Sequence, residues 1–451
     1  MAALATRQAS GDVDITGTVA SVEGDGMQFQ GQASLPSPTQ GKAVRRYGLI
    51  AGWLLLGLLW MQALLRARSQ STLIVDEAVH VWQVSRFMQG QLHSVTQDLT
   101  NIPGYHLLVA GLMWLSGSHS LAGMRTIDVC FGLLGGLFFY LARLAQYQAH
   151  QGRAVAQFLF FPLLYPYVFL VYTDVLSVAL VLAALAATLR HRHVLAALAL
   201  VAAMMVRQNN VVWAAFLAAY ALWPILAKAH WRPMRVMQDL GQAIWPYLVV
   251  MALFLAYWAW NGTIVFESVQ ARTHPDASFH LGNPFFLLCM AGVFLPLQLL
   301  GGLRRFLALA RADSRWLLLP LATIACYTLC FTVSSRLNFI GIPYFLHNDL
   351  LVLVTQEKWA SCLFGLVATI AACGLAGTRF ASPQGFLLYP VACFYLAAST
   401  LIEVRYALVP MALWLALRQQ ESDGAERATL AIWVAVAQYF ALGVLDLRFM
   451  P

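Results

Sequence analysis

From Tyr47 to Leu445 the chain is a succession of apolar runs divided by short polar gaps. A helix needs about 20 mostly apolar residues to cross a bilayer, so the sequence has room for roughly twelve to fourteen such helices. Charged residues make up 11% of the chain and hydrophobic residues 60%, whereas soluble domains carry about 25% charged residues. Lipid offers the backbone no hydrogen-bond partners, which favours helices as spanning segments. An all-α polytopic membrane protein is therefore expected. The net charge of +8 then belongs to topology and lipid headgroups, and nucleic acid is excluded as a partner.

Residues 1–46 are rich in Gly, Ser, Thr and Gln and lack hydrophobic periodicity, so they read as a disordered tail. Lys42, Arg45 and Arg46 precede the first apolar run and place that tail in the cytoplasm. Residues 47–451 form the membrane domain, with 66–104 as its first outer loop. The run Ala154–Tyr172 reads as a span kinked at Tyr165-Pro166-Tyr167. All seven cysteines fall in apolar stretches without a metal-type spacing, and buried free thiols are expected, with no disulfide and no metal site. Lys42, Lys228 and Lys358 are the only lysines among 28 basic residues, a bias that fits a bacterial, GC-rich genome.

The stretch Val75–Tyr105 holds the densest set of ionisable groups in the first third of the chain. Asp76, His80 and Gln83 share one helical face, with Val79, Trp82 and Phe87 incompletely separated from it. That pattern predicts an amphipathic helix at the membrane surface. The Asp76-Glu77 pair opens the stretch, where it is either a general base or a helix start favoured by the dipole.

Three further polar islands interrupt apolar sequence: Tyr172-Thr173-Asp174, Arg207-Gln208-Asn209-Asn210 and Glu403-Val404-Arg405-Tyr406. An ionisable group at membrane depth costs roughly 2.5–3.5 kcal/mol on insertion scales. Asp174 with Arg207, or Glu403 with Arg405, satisfies that cost by simple pairing between helices; four such sites together point to a shared polar cavity. His274-Pro275-Asp276 with His280, and His347-Asn348-Asp349, are smaller polar islands. Asn261-Gly262-Thr263 matches a glycosylation sequon.

In this order the motifs resemble the dolichyl-phosphate-glucose-dependent α-1,2-glucosyltransferases, which add the last glucose to the lipid-linked N-glycan precursor. The resemblance extends from the first loop nearly to the C-terminus. It is carried by Asp76-Glu77-Ala78-Val79-His80, by Asp98 with Pro103-Gly104, and by Tyr172-Thr173-Asp174. Arg207-Gln208-Asn209-Asn210-Val211-Val212-Trp213, Asn261-Gly262 with Ile264-Val265, and Glu403-Val404-Arg405-Tyr406 with Pro410 continue it. One segment departs. Where the family has His-Pro-Tyr leading into Asp-Asn-Arg-His-Tyr, this chain reads Ile342-Pro343-Tyr344-Phe345-Leu346-His347-Asn348-Asp349-Leu350. The arginine and second histidine are missing; if that segment holds the donor, headgroup or acceptor differs here.

The resemblance implies a GT-C-type glycosyltransferase fold with amphipathic helices in the first outer loop. It implies an inverting reaction without a cofactor or an obligatory metal. The donor would be a polyprenyl-phosphate sugar and the acceptor a lipid-linked glycan. The membrane would be the endoplasmic reticulum in a eukaryote and the cytoplasmic membrane in a bacterium. Asp76 is then the first choice for base, Glu77 the second, and Arg405 and Arg207 face the phosphate. His80 and Asp98 orient base or acceptor, while Tyr172, Asp174, Gln208, Asn210, His347, Glu403 and Tyr406 complete the binding set. A multi-pass transporter would place the same charges along a polar pathway, but it needs no long outer loop. A lipid-binding scaffold without catalysis would also keep these spacings.

Overall fold

The computed structural model describes residues 38–227, 233–272 and 278–451. The expected tail lies largely outside them, as does His274-Pro275-Asp276. The chain falls into two units, Met1–Leu54 and Leu55–Pro451. Helix α1 runs Pro38–Ser69, so residues 38–46 are helical rather than tail. Then come α2 (Glu77–Met88), α3 (Gly104–Ser116), α4 (Leu121–Ala145), α5 (Gln151–Leu159), α6 (Thr173–Thr188), α7 (His193–Val206), α8 (Val211–Ala227) and α9 (Pro233–Asn261). The second half adds α10 (Gly282–Phe294), α11 (Pro296–Ala312), α12 (Leu318–Cys330), α13 (Leu346–Gln356), α14 (Lys358–Ala376), α15 (Leu388–Ala397), α16 (Leu408–Leu417) and α17 (Asp423–Leu445).

Six helices among the described residues are long and apolar enough to cross a membrane, and the α10–α11 pair, bent by 105°, makes up to seven. Five further apolar helices span only 10–17 residues. The chain is thus an all-α, multi-pass membrane protein, though fewer of its apolar runs are full-length helices than composition suggested. The breaks have local causes. Pro296 opens α11 at the bend, where its missing N–H interrupts the helical ladder. Ala154–Tyr172 is no kinked span at all: α5 stops at Leu159, and a 3₁₀ turn over Tyr165–Phe169 fills the interior.

Large apolar side chains cover the outside, with Trp114 73%, Trp260 79% and Leu329 82% exposed, as a lipid-facing surface requires. Five of the seven thiols lie on that exposed surface, and only Cys289 and Cys373 are buried as expected. Inside, α4 packs on α6, α6 on α7 and α11 on α14. The last contact is backbone-close: a Cβ on Gly302 would stand 2.0 Å from the Gly374 carbonyl oxygen, the small-residue packing that lets membrane helices touch.

Helix α2 is not the simple surface amphipath expected from the sequence. Its polar residues Glu77, His80 and Gln83 are buried together with Val84 and Phe87, while Trp82 is exposed. The polar face is turned inward because the interior supplies its partners. Gln83 donates to the Ser94 carbonyl at 3.0 Å and accepts from the Thr96 N–H at 2.9 Å, closing the loop on the helix. Glu77 meets Arg125 of α4 in a two-point ion pair, Nε–Oε1 2.8 Å and Nη2–Oε2 2.6 Å, with both side chains wholly buried. Arg125 also donates to the Ala67, Gln70 and Thr72 carbonyls, and Glu77 accepts from the Ile74 and Val171 N–H groups.

Glu77 is therefore a structural anchor, correcting its place as second choice for the base. Removing one partner of a buried pair leaves an uncompensated charge and costs about 3–5 kcal/mol. Glu77→Ala and Arg125→Ala should each lower the melting temperature of the purified protein sharply, and Glu77→Leu with Arg125→Met together should recover much of the loss. Single variants melting with the wild type would show that the pair does not hold the loop.

Candidate active site

The backbone just before α2 is strained. Val75 has φ +53°, a region costly for a β-branched residue and one that usually reflects function or strong constraint. The constraint is visible on both sides. Tyr172 donates its hydroxyl to the Ile74 carbonyl at 3.0 Å and accepts from the Asp76 N–H at 3.1 Å. With Glu77 fixed by Arg125, Asp76 has a set direction. It opens into a cavity of about 490 Å³.

That cavity collects most of the expected residues: Asp76, His80, Asp98, Tyr172, Arg207, His347, Glu403, Arg405 and Tyr406 all line it. Arg405 is its hub. Its Nη2 stands 2.9 Å from Asp76 and its Nε 3.4 Å from Glu403, and the guanidinium lies over the Tyr172 ring at 5.5 Å. The segment bearing Glu403 and Arg405 is pinned by two asparagines that sequence reading missed. Asn283 accepts from the Glu403 N–H at 3.1 Å, and Asn338 accepts from the Ile402 N–H at 3.1 Å. Asp76 keeps 46% of its side chain exposed, against 19% for Arg405 and 12% for Glu403. The acid that faces the cavity is the accessible one.

Arg207 forms the second cationic point and pairs with Asp174, which is buried behind it rather than on the cavity wall. Arg207 and Tyr406 also border an adjoining cavity of about 380 Å³, lined by Val211, Val212, Phe254, Val265 and Phe394 among others. Asp98 is exposed at the rim. His347 donates through Nδ1 to the Pro451 carbonyl at 2.7 Å.

Gln208 and Asn210 turn out to be braces. Gln208 donates to the Thr100 and Ile264 carbonyls at 2.7 and 2.9 Å, tying loop to loop, and borders only the second cavity. Asn210 is buried and donates to the Ser177 hydroxyl and the Ala203 carbonyl, both at 2.8 Å. The sequon asparagine is likewise used internally: Asn261 Nδ2 donates to the Val265 carbonyl at 2.8 Å and the Thr263 carbonyl at 3.0 Å.

His80 contacts a histidine that sequence reading passed over, with its Nδ1 2.9 Å from Nε2 of the buried His106. Burial foremost, then the charges of Arg405 and Arg207, push the His80 imidazole down from 6.5 to about 3. It is neutral at physiological pH. A lone histidine in the first turn of an apolar helix is a faint signal, and only the contact gives it meaning.

Chemically, the cavity offers an accessible carboxylate beside two guanidinium groups in a poorly solvated wall. This suits a reaction in which a hydroxyl loses a proton while an anionic group departs.

Known proteins bear on this arrangement. Residues 70–233 match the model of the DIE2/ALG10 family. The Drosophila melanogaster Dol-P-Glc:Glc(2)Man(9)GlcNAc(2)-PP-Dol alpha-1,2-glucosyltransferase is 25% identical over 394 residues, 78% of this chain and 84% of that protein. Its Mus musculus counterpart is 25% identical over 271 residues, 49% of this chain and 56% of the mouse protein, so the match there spans just over half its length. The crystal structure of ArnT from Cupriavidus metallidurans bound to undecaprenyl phosphate shares 15% identity, with a TM-score of 0.39 over 87% of this chain and 79% of that one. By sequence, this chain is similar to the DIE2/ALG10 family and to the dolichyl-phosphate-glucose α-1,2-glucosyltransferases, with Asp76 through Arg207 inside the region the family model matches.

Proposed function

We propose that the chain is a membrane-embedded, inverting glucosyltransferase with a GT-C-type fold. It moves glucose from a dolichyl- or polyprenyl-phosphate carrier to a lipid-linked glycan and forms an α-1,2 linkage. The relatives' names supply donor, acceptor and linkage; the cavity supplies the means. The observation that carries the reading is Arg405, held between Asp76 and Glu403 on the wall of one cavity. The site faces the lumen of the endoplasmic reticulum in a eukaryotic cell and the outer side of the cytoplasmic membrane in a bacterial one.

The donor's phosphate enters beside Arg405 and Arg207, where guanidinium groups pair well with phosphate oxygens. It competes with Asp76 for Arg405 and so releases the carboxylate at the moment the donor is in place. The acceptor hydroxyl gives its proton to Asp76 as its oxygen bonds to the anomeric carbon. The bond from that carbon to the phosphate oxygen breaks, and the electron pair leaves with the phosphate. Arg405 and Arg207 stabilise the charge that develops there. They take the part that a divalent cation plays in other transferases, so the reaction needs no metal or cofactor.

Three measurements follow, on purified protein in detergent with dolichyl-phosphate glucose and a lipid-linked glycan. Asp76→Asn should lose about 10²–10⁴ in turnover, the usual contribution of a general base. Donor affinity should not fall, since the phosphate no longer competes with a carboxylate. Normal turnover in a folded Asp76→Asn protein would remove Asp76 from the mechanism. Arg405→Ala should lose about 10²–10³ in turnover and weaken donor binding, with Arg405→Lys intermediate; unchanged donor binding would place the phosphate elsewhere. Excess EDTA should leave turnover unaltered, and inhibition reversed by added Mg²⁺ or Mn²⁺ would overturn the metal-free scheme.

A further inference from the structure

The contact between His80 and His106 contains more information than a packing interaction. Two neutral imidazoles facing each other at 2.9 Å must have one nitrogen donating and the other accepting. The nitrogen on the far side of His106, Nδ1, is buried and has no hydrogen-bond partner. If His80 donated, a neutral His106 would have to carry its own proton on that unpartnered Nδ1. A cationic form of either ring also leaves a buried N–H without an acceptor. Such orphaned donors are rare in folded proteins. A proton on His106 Nε2, donated to His80 Nδ1, avoids this and leaves only a lone pair unmet. The proton of His80 is then on its Nε2.

His80 borders the cavity that also holds Asp76, Arg207 and Arg405. Its Nδ1 is occupied by His106, so Nε2 is the nitrogen free to meet a ligand. The Tyr105 and Tyr172 rings pack edge-on against the imidazole, with centroids 6.1 and 5.6 Å away, and restrain its tilt.

We infer that His80 is a neutral hydrogen-bond donor with a fixed tautomer, presenting Nε2–H to a phosphate oxygen of the carrier lipid, and that His106 is the positioning residue that fixes it. The proposal rests on the transferase reading above and adds a third donor to its phosphate site. It denies His80 a role as base, because its cavity nitrogen carries a proton. It also gives the buried His106, 26 residues away in sequence, a task beyond packing. An uncharged donor suits this position. It neutralises no charge and does not compete with Arg405 for Asp76, yet it adds direction to phosphate binding.

The test uses the full-length protein in detergent, with dolichyl monophosphate as the binding probe and dolichyl-phosphate glucose for turnover. His80→Leu should weaken dolichyl monophosphate binding about 10- to 100-fold, the loss expected for a hydrogen bond to a charged group. His80→Gln, whose amide nitrogen can donate from a similar place but cannot act as a base, should keep turnover within about tenfold of wild type. His106→Leu should raise KM for the donor more than it lowers kcat, and His106→Gln, which restores a donor towards His80, should recover KM. Nitrogen-15 spectra of histidine-labelled protein, with the His80 signal assigned by its loss in His80→Gln, should show the proton on Nε2.

A proton on Nδ1 of His80 would overturn the proposal. So would a loss of turnover in His80→Gln as deep as in His80→Leu, or dolichyl monophosphate binding that is absent or indifferent to His80. If the probe binds in a His80-dependent way but no glucose is transferred, the phosphate site stands and the transferase reading falls.

Discussion

The structure of the site depends on one buried ion pair, Glu77 with Arg125. It joins the start of α2 to α4, and Arg125 gathers three carbonyls from the end of α1 and the turn after it. Glu77 at the same time accepts from the backbone of Val171, next to Tyr172. Three segments distant in sequence, 67–77, Arg125 and Val171, thus converge on one guanidinium–carboxylate contact in a dry interior. A pair of this kind is a poor source of net stability against apolar replacements, yet breaking it is costly. Its value is positional. It holds the chain so tightly that Val75 accepts a left-handed backbone, and that turn directs Asp76 into the cavity while Glu77 points away from it.

Adjacent acids on a helix stand about 100° apart, so one environment cannot serve both. Here the interior takes Glu77 and the cavity takes Asp76. The sequence made the pair visible but could not rank its members, since the ranking depends on Arg125, 48 residues away. The same holds for the polar islands. That they meet in one cavity was legible from four costly interruptions of apolar sequence. Which members line it was not: Asp174 backs Arg207, and Gln208 and Asn210 brace loops. Short amide side chains look alike in sequence whether they bind a ligand or a backbone carbonyl.

The fold was legible at the level of class and less so in its elements. Hydropathy reports that a stretch can lie in lipid or in a protein interior, and it cannot separate the two. Phe160 to Tyr172 is as apolar as a span but is buried inside the protein as turns and a 3₁₀ segment. The mixed polarity of α2 was legible, but not that its polar residues are buried together with Val84 and Phe87. In a soluble protein the apolar face points inward; here the interior contains the ionic partners, and the exposed face includes Trp82. His106 escaped notice because a single histidine in an apolar run has no periodic signature.

A second buried pair lies towards the other end of α4 and shows what distinguishes an anchor from a working site. Arg418 holds Glu426 at 2.5 and 2.9 Å, with Gln157 and Gln298 adding bonds to the same carboxylate at 2.8 and 3.3 Å. Both side chains are almost wholly buried, and Glu426 also accepts from the Glu421 N–H. Such a carboxylate has no capacity left for a substrate. Around Arg405 the opposite holds: one guanidinium is divided between two carboxylates at 2.9 and 3.4 Å, and one of them is nearly half exposed. A shared and partly solvated cation can exchange one anionic partner for another at little cost, whereas a saturated buried pair cannot. An arriving phosphate can therefore displace Asp76 from Arg405 without disturbing the anchors, and the carboxylate it displaces is the one placed to accept a proton.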